Sequence, residues 1–238
     1  MLFRSVEPGI FLGNSVNYLR LKPNVDYDLG FFCALLNSQL IEWRFRLTSS
    51  NNNVNNYEID ALPLREIKFT TSPAERKRQA TKARALFESS MSAKAAAILD
   101  FTKTELAANH ADVIHDFLAY LAGQMTELNK AKQTTAKTFL TDLKDFHEIE
   151  ARSLTPKTKL DEFWKLETAG LFAHLHANKI RIKESDEEKI RTHFLKAKDK
   201  LVPLDSQINS TDELIDQIVY HLYGLTPAEI KIVESAAK

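Results

Sequence analysis

The sequence is poor in the residues that make tight turns and disulfides. Its 238 residues include six glycines, seven prolines and a single cysteine. One cysteine cannot form an internal disulfide, and so few turn-forming residues argue against a low-complexity chain and against a β-sandwich. No stretch reaches the roughly 18 apolar residues of a membrane span, and the N-terminus lacks a signal-peptide core. These absences predict a cytoplasmic, mainly helical protein that does not enter a membrane.

The motifs of several common catalytic and cofactor sites are also missing. Neither G-x-x-x-x-G-K nor G-x-G-x-x-G occurs, so no phosphate-binding loop is expected. There is no H-E-x-x-H, and His174 and His176, two residues apart on a predicted helix, point to different faces. The Ser residues fall at helix caps and in a polar loop, where no Ser-His-Asp arrangement is supported. We therefore expect no catalytic residue, no metal and no cofactor in this chain.

Positive charge is concentrated in the first third of the sequence. The whole chain is formally neutral, with 32 basic and 32 acidic residues, which argues against binding nucleic acid by bulk charge alone. Residues 1–84 contain 12 Lys and Arg against 8 Asp and Glu, a net charge of +4, so the remainder carries −4. A polyanion is therefore expected to meet the first third.

The N-terminal residues favour extended structure and the rest favour helices. Residues 3–21 are dense in β-compatible apolar residues interrupted by Glu7-Pro8-Gly9, which predicts two or three short strands. Asp26 or Asp28 can cap a helix that runs to about Leu47, and Ser72-Pro73-Ala74-Glu75 predicts that a helix begins there. Apolar periodicity predicts further helices from about Asp112 and at about 136–152, 159–178 and 185–200, and capping boxes predict helix starts at Ser210 and Thr226. The predicted fold is α+β and predominantly α, with a small N-terminal β element, a helix packed on it and a following long-helix bundle.

A polar loop after the first predicted helix carries side chains suited to DNA recognition. Asparagine offers a donor and an acceptor that can pair with an adenine edge, and Arg and Lys suit guanine or phosphate. Asn and Ser also fill turns for purely conformational reasons, so both interpretations stay open. The candidate DNA-binding residues are Arg44, Arg46, Ser49, Ser50, Asn51, Asn52, Asn53, Asn55, Asn56 and Lys68.

Two segments around this loop carry a resemblance to a known family. The stretch 31–46, FFCALLNSQLIEWRFR, followed by VNNYEIDALP at 54–63, resembles the last part of the TaqI-like specificity domain of type IIG restriction–modification enzymes and adenine-specific DNA methyltransferases. Residues 214–230, LIDQIVYHLYGLTPAEI, are similar to the closing helices of the same polypeptides, and 116–130 also looks like part of that group. In those proteins the methyl-donor site and the N-P-P-Y motif precede the specificity domain, and neither occurs here.

The resemblance implies a C-terminal fragment or a truncated reading frame that recognises DNA without a catalytic centre. Residues 1–70 would form a partial target-recognition domain and residues 71–238 a helical spacer and docking domain. Its partners would be double-stranded DNA and methyltransferase or nuclease domains in cis or in trans, and self-association is open. S-adenosylmethionine, and Mg²⁺ where the parent cleaves DNA, are expected for the parent enzyme only.

Two other functions are compatible with the same sequence. The chain could be a structural helical module that docks onto a methyltransferase or nuclease partner without binding DNA itself, which its zero net charge favours. Alternatively, Asp60 with Glu66-Ile67-Lys68 has the outline of a metal-dependent nuclease motif. Such spacings arise by chance in a chain with 27% charged residues, so a solvated surface pair is the simpler interpretation.

Overall fold

The protein is described by a computed structural model that covers Phe3 and residues 19–49, 54–89 and 94–236. These residues form α-helices joined by short segments and, between α6 and α7, by three short 3₁₀ turns. The helices are α1 (Leu29–Asn37), α2 (Gln39–Arg46), α3 (Asn56–Asp60), α4 (Pro73–Glu88), α5 (Lys94–Ala107), α6 (Ala111–His147), α7 (Thr168–Ala177), α8 (Glu184–Tyr223) and α9 (Pro227–Ala236).

The predicted α+β fold class is wrong, because none of the described residues forms a β-strand. The described chain is all-α. Most of the predicted hairpin, residues 4–18, lies outside the described residues, but Leu19 to Leu21 at the end of the last predicted strand are described and form no strand. The alternating pattern at these three positions is too short to specify a strand unless a neighbouring strand pairs with it. The predicted long helices are confirmed.

The helices group into two compact units. The first comprises Met1–Gln124 and Thr211–Lys238, and the second comprises Met125–Ser210. The unit boundaries thus fall within α6 and within α8. This grouping rests on packing, so the predicted functional division at residue 70 stays a prediction.

The first unit buries one face of each of the helices α1 and α2. Leu36, Ile41 and Phe45 of these helices cluster with Leu62, and Tyr223 packs against the cluster. The backbone of Phe3 is held beside α1, because its N–H donates to Asn37 Oδ1 over 2.7 Å and its carbonyl accepts from Asn37 Nδ2 over 2.8 Å. These contacts fix α2, which carries two of the candidate DNA-binding arginines.

The second unit has its own apolar core. Its largest fully buried side chains are Phe139, Phe163 and Phe194, whose ring centroids lie 4.3 to 6.1 Å apart. Trp164 lies beside this cluster and is nearly buried. Since Trp43 belongs to the first unit, each unit contains one tryptophan, and each can be followed by its own fluorescence.

Helices α1, α4 and α9 begin at capping residues that the sequence predicts. Asp28 caps α1 by accepting from Gly30 N over 2.6 Å, and Ser72 caps α4 before Pro73. At α9, Thr226 N donates to Glu229 Oε2 over 2.7 Å, which is half of a capping box.

Elsewhere the helices begin and end at different residues from those predicted. The predicted helix from Asp28 to Leu47 is broken at Ser38, whose backbone is extended (φ −67°, ψ 149°). Ser38 is both the C-cap of α1 and the N-cap of α2. The helices predicted near 112–130 and 136–152 are one helix, α6, and those predicted at 185–200 and from Ser210 are one helix, α8. Helix α8 runs without a break from Glu184 to Tyr223, through both Pro203 and Ser210, so the predicted helix start at Ser210 is wrong.

At Gly30 the backbone of α1 lies close to the backbone of α6. A Cβ atom at this position would lie 2.8 Å from the carbonyl oxygen of Ala119 and 3.1 Å from its Cα, and both are backbone atoms that cannot rotate away. We therefore expect Gly30→Ala to lower the free energy of unfolding by about 1–3 kcal/mol through overpacking. Urea unfolding followed by Trp43 fluorescence, in a Trp164→Phe background, measures this change.

Gly123→Ala is the matched control, because nothing lies within 4 Å of a Cβ atom built at Gly123 in α6. Alanine favours a helix interior over glycine by up to about 1 kcal/mol, so this variant is expected to be slightly more stable than the parent protein. Equal stability of the two variants would show that α1 does not approach α6 as described.

Candidate nucleic-acid interface

Two candidate arginines lie in the last turn of α2. Phe45, between them in sequence, is buried in the core of the first unit and thereby orients the helix. Arg46 is exposed and pairs with Glu42 one turn earlier, with Arg46 Nη2 3.4 Å from Glu42 Oε1. Arg44 is half-buried and makes no ion pair with any described residue. The last turn of α2 therefore presents one cation in a surface ion pair and one cation that no described carboxylate pairs with.

The two flanks of the Asn-rich loop are joined by Glu58. The Ser49 hydroxyl is buried and hydrogen-bonds to the Glu58 carboxylate. The same carboxylate accepts the Asn55 backbone N–H over 2.8 Å and the Asn55 side-chain amide over 2.9 Å. These donors, with Ser49 the strongest, lower the pKa of Glu58 below its usual value. Residues 50–54 are therefore bracketed by a charged hydrogen-bond network at the end of α2.

The structure separates the candidate loop residues into three groups. Ser49 and Asn55 are engaged in closing the loop, and Asn56 begins α3. The candidates from Ser50 to Asn53 lie outside the described residues. Glu58 was not among the residues predicted for this site, although Asn55-x-x-Glu58 has the spacing of a capping box. Tyr57, which is 69% exposed, was also missed beside the loop.

Lys68 lies in an extended segment that crosses the first unit after α3. The segment is pinned by two tyrosines: the Arg65 N–H donates to the Tyr223 hydroxyl over 3.0 Å, and the Ile67 N–H donates to the Tyr27 hydroxyl over 2.7 Å. Ile67 is buried and Lys68 is exposed, with no ion pair to a described residue. Tyr223 is the last residue of α8, and no sequence pattern predicts its contact with Arg65. The extended segment thus holds Lys68 at the surface of the first unit.

The described residues give no geometric support to the nuclease outline of Asp60, Glu66 and Lys68 or to a metal site at His174 and His176. Asp60, Glu66 and Lys68 are all exposed, and the described residues contain no group of three His, Cys, Asp or Glu side chains able to hold a metal ion. His174 is buried, which lowers its pKa, whereas His176 is exposed. The two histidines therefore lie on different faces of α7, as their spacing indicates.

A basic cleft lies along α4 in the first unit, and the sequence analysis did not identify it. The cleft has a volume of about 380 Å³, and Thr71, Arg76, Lys77, Ala80, Arg84 and Asp116 are among the residues that line it. The Nε and Nη2 groups of Arg76 donate to the two oxygens of the Asp116 carboxylate, so these two charges compensate each other. Lys77 makes no ion pair with a described residue, and Arg84 lies over the ring of Tyr120, 4.9 Å from its centroid.

Asp116 connects this cleft to a buried histidine. His115 Nδ1 lies 2.9 Å from Asp116 Oδ1, and His115 Nε2 accepts the Asp28 N–H over 3.0 Å. Nε2 must be unprotonated to accept that bond, so Nδ1 carries the proton and donates it to Asp116. Burial opposes ionisation of Asp116, but the bonds from His115 and Arg76 outweigh it and lower the pKa of Asp116. Both histidine nitrogens are thus occupied, and His115 has a structural role.

Comparison with known proteins gives one family match. A family model described as "Domain of unknown function (DUF8810)" matches residues 111–219, from the start of α6 to near the end of α8. No curated protein matches the chain, and no solved structure matches it either. The matched part includes the whole second unit and excludes the Asn-rich loop and the basic cleft apart from Asp116. None of the helices formed by the described residues has the length and apolar character needed to cross a bilayer.

Proposed function

We propose that this chain is the DNA-recognition and scaffold portion of a restriction–modification methyltransferase, acting in the cytoplasm and without a catalytic centre of its own. Residues 1–70 contribute to recognition of double-stranded DNA, and the helices after Ser72 serve as a spacer and docking scaffold. Methyltransferase domains, and nuclease domains where the parent cleaves DNA, act in cis or in trans. S-adenosylmethionine and Mg²⁺ belong to those domains.

The observation that carries this proposal is the bracketed loop at the end of α2. A segment of donor- and acceptor-bearing side chains is closed at its base by the Ser49–Glu58–Asn55 network. It follows directly on Arg44 and Arg46. Recognition of DNA needs cations that hold phosphates and polar side chains that reach base edges, in a fixed relation to each other. The Ser49–Glu58–Asn55 network fixes the two described ends of this segment beside the helix turn that carries both arginines.

The arginines of α2 provide the test. We expect the Arg44→Gln/Arg46→Gln variant to bind a fluorescent 20-base-pair duplex more weakly than the parent protein. The slope of log K against log salt should become shallower by about one for each phosphate contact that is lost. Fluorescence anisotropy titrations at 50, 100 and 200 mM salt measure both quantities.

Arg152→Gln/Arg181→Gln is the matched control. It removes two exposed arginines from the second unit and should leave both the affinity and the slope almost unchanged. If the α2 variant and the control bind the duplex equally well, then Arg44 and Arg46 are not in the interface.

A docking function without DNA binding is the second candidate, and one surface feature favours it. Leu195 and Val202 are more than 40% exposed and lie seven residues apart, on one face of α8 in the second unit. An apolar face of this kind suits a helical partner. Under this alternative the protein would not bind the duplex even at 50 mM salt, whereas an apolar contact to a partner would be far less sensitive to salt.

A further inference from the structure

We propose that the basic cleft along α4 is a phosphate site that takes the backbone phosphates of double-stranded DNA, which extends the DNA interface beyond residues 1–70. The inference deepens the function proposed above and rests on it for the identity of the ligand. The site itself rests on different residues from those of the Asn-rich loop. Three features of the cleft support this proposal: the spacing of its cations along α4, its net positive charge, and the small residue Ala80 between the cations.

The spacing of α4 places the cations on the cleft side. Arg76, Ala80 and Arg84 recur every four residues, and Lys77 and Arg84 are seven residues apart, so these side chains share one face of the helix. Lys77 and Arg84 start about 10 Å apart along the axis, since the rise is 1.5 Å per residue. Both have long side chains that can converge on a group held between them.

The charge balance of the cleft is positive. Asp116 is the carboxylate among the lining residues, and it is satisfied by Arg76 and His115. Among the described residues no second carboxylate lines the cleft, so Lys77 and Arg84 are left without a compensating carboxylate there. Glu88, one turn after Arg84 on α4, accepts from the Tyr120 hydroxyl over 3.0 Å and makes no ion pair with Arg84. Two uncompensated cations that flank an open volume favour a doubly charged or polymeric anion.

The floor of the cleft allows close approach of a phosphate group. Ala80 lies between the two cations and is nearly buried, so its small side chain leaves the space above it open. The Arg76 guanidinium is held rigidly, both by Asp116 and by stacking over Phe69 at 4.7 Å from the ring centroid. One wall is therefore ordered before any ligand binds. A volume of about 380 Å³ exceeds what a single phosphate needs and suits a stretch of sugar–phosphate backbone.

The test compares two double variants that remove the same charge from the same helix. Lys77→Gln/Arg84→Gln removes both uncompensated cations of the cleft. Arg78→Gln/Lys82→Gln removes two cations of α4 that do not line it, since Arg78 pairs with Glu75 and Lys82 packs over Phe101. The probes are the 20-base-pair duplex, followed by anisotropy, and inorganic pyrophosphate, followed through the amide chemical shifts of residues 77–84. Thermal unfolding of each variant verifies that it is folded.

We expect the cleft variant to reduce the slope of log K against log salt by about two, and the control variant to change it far less. Pyrophosphate should shift the amides of residues 77–84 in a saturable manner in the parent and control proteins but not in the cleft variant. Equal losses of duplex affinity in both variants, or no saturable pyrophosphate shift, would overturn the proposal.

Failure of the proposed function gives a different pattern. If the parent protein saturates with pyrophosphate but binds no duplex at 50 mM salt, the phosphate site is supported and its assignment to DNA is overturned. If the duplex binds and only the Arg44→Gln/Arg46→Gln variant weakens it, DNA recognition is supported and the cleft is excluded from the interface.

Discussion

Replacing Asp216 with asparagine is expected to stabilise the first unit at pH 8 and to have a much smaller effect at pH 5. Asp216 lies in α8, is 4% exposed, and accepts the N–H of Gln39, the first residue of α2, over 2.8 Å. Burial raises the pKa of Asp216 to about 7, against the opposing effect of that hydrogen bond and with help from the nearby carboxylates of Asp212, Glu234 and Glu213.

The sign of the pH dependence follows from the raised pKa. A carboxyl whose pKa is higher in the folded protein than in the unfolded chain adds stability while it is protonated. That contribution is complete below about pH 4 and is lost as the pH rises through about 7. A shift of about three units corresponds to roughly 4 kcal/mol. Asparagine keeps an oxygen that can accept from Gln39 but never ionises, so it avoids this loss.

Urea unfolding at pH 5, 6, 7 and 8, followed by Trp43 in the Trp164→Phe background, measures the effect. The gain in free energy of unfolding from Asp216→Asn should be larger at pH 8 than at pH 5 by roughly 2–3 kcal/mol. Glu66→Gln is the control, because Glu66 is exposed in the first unit and is not among the carboxylates that act on Asp216, so its removal should leave the pH slope of the parent protein unchanged. A gain that does not change with pH would show that Asp216 is ionised throughout this range.

Replacing His115 with alanine is expected to cost about 3–5 kcal/mol of stability in the first unit, the range of a large buried side chain. His115 is completely buried, and its ring centroid lies 4.6 Å from that of Phe31 and 5.1 Å from that of Phe69. The variant creates a cavity there, leaves the Asp28 N–H without an acceptor, and deprives Asp116 of one donor. Each loss destabilises, since an unsatisfied buried polar group costs about 1–3 kcal/mol.

The matched control is His221→Ala. His221 is half-buried in α8 of the first unit, and its ring makes no hydrogen bond to a described residue. Its loss is expected to cost about 1 kcal/mol, so the two histidine variants should differ by several-fold in their effect on urea unfolding followed by Trp43. If His115→Ala costs no more than His221→Ala, then the hydrogen bonds of His115 contribute little to the first unit.

The features that the sequence predicted correctly depend on neighbouring residues. Ser72-Pro73-Ala74-Glu75 and Thr226-Pro227-Ala228-Glu229 begin helices because the capping side chain and the N–H that it binds lie within three residues. The break at Ser38 was missed because the apolar pattern continues across it. The acceptor that satisfies the Gln39 N–H is Asp216, 177 residues away in sequence, and no local pattern indicates such a partner.

The candidate site likewise contains residues that local sequence patterns predict and residues that depend on contacts between distant parts of the chain. The Arg44 and Arg46 positions at the end of α2 follow from local periodicity. The basic cleft was missed because it needs Thr71 and Asp116 beside α4, and that neighbourhood depends on the bonds from the Thr71 N–H and hydroxyl to Asp112 over 2.7 and 2.6 Å. The positive charge of residues 1–84 was visible in the sequence, but its arrangement along one helix face was not.

The Glu58 network joins the chain before and after the Asn-rich segment. Its three members, Ser49, Asn55 and Glu58, all lie outside positions 50–53 of the sequence. Under the function proposed above, substitutions at those four positions would change the DNA sequence that is recognised and would leave the hydrogen-bonding groups of this network intact.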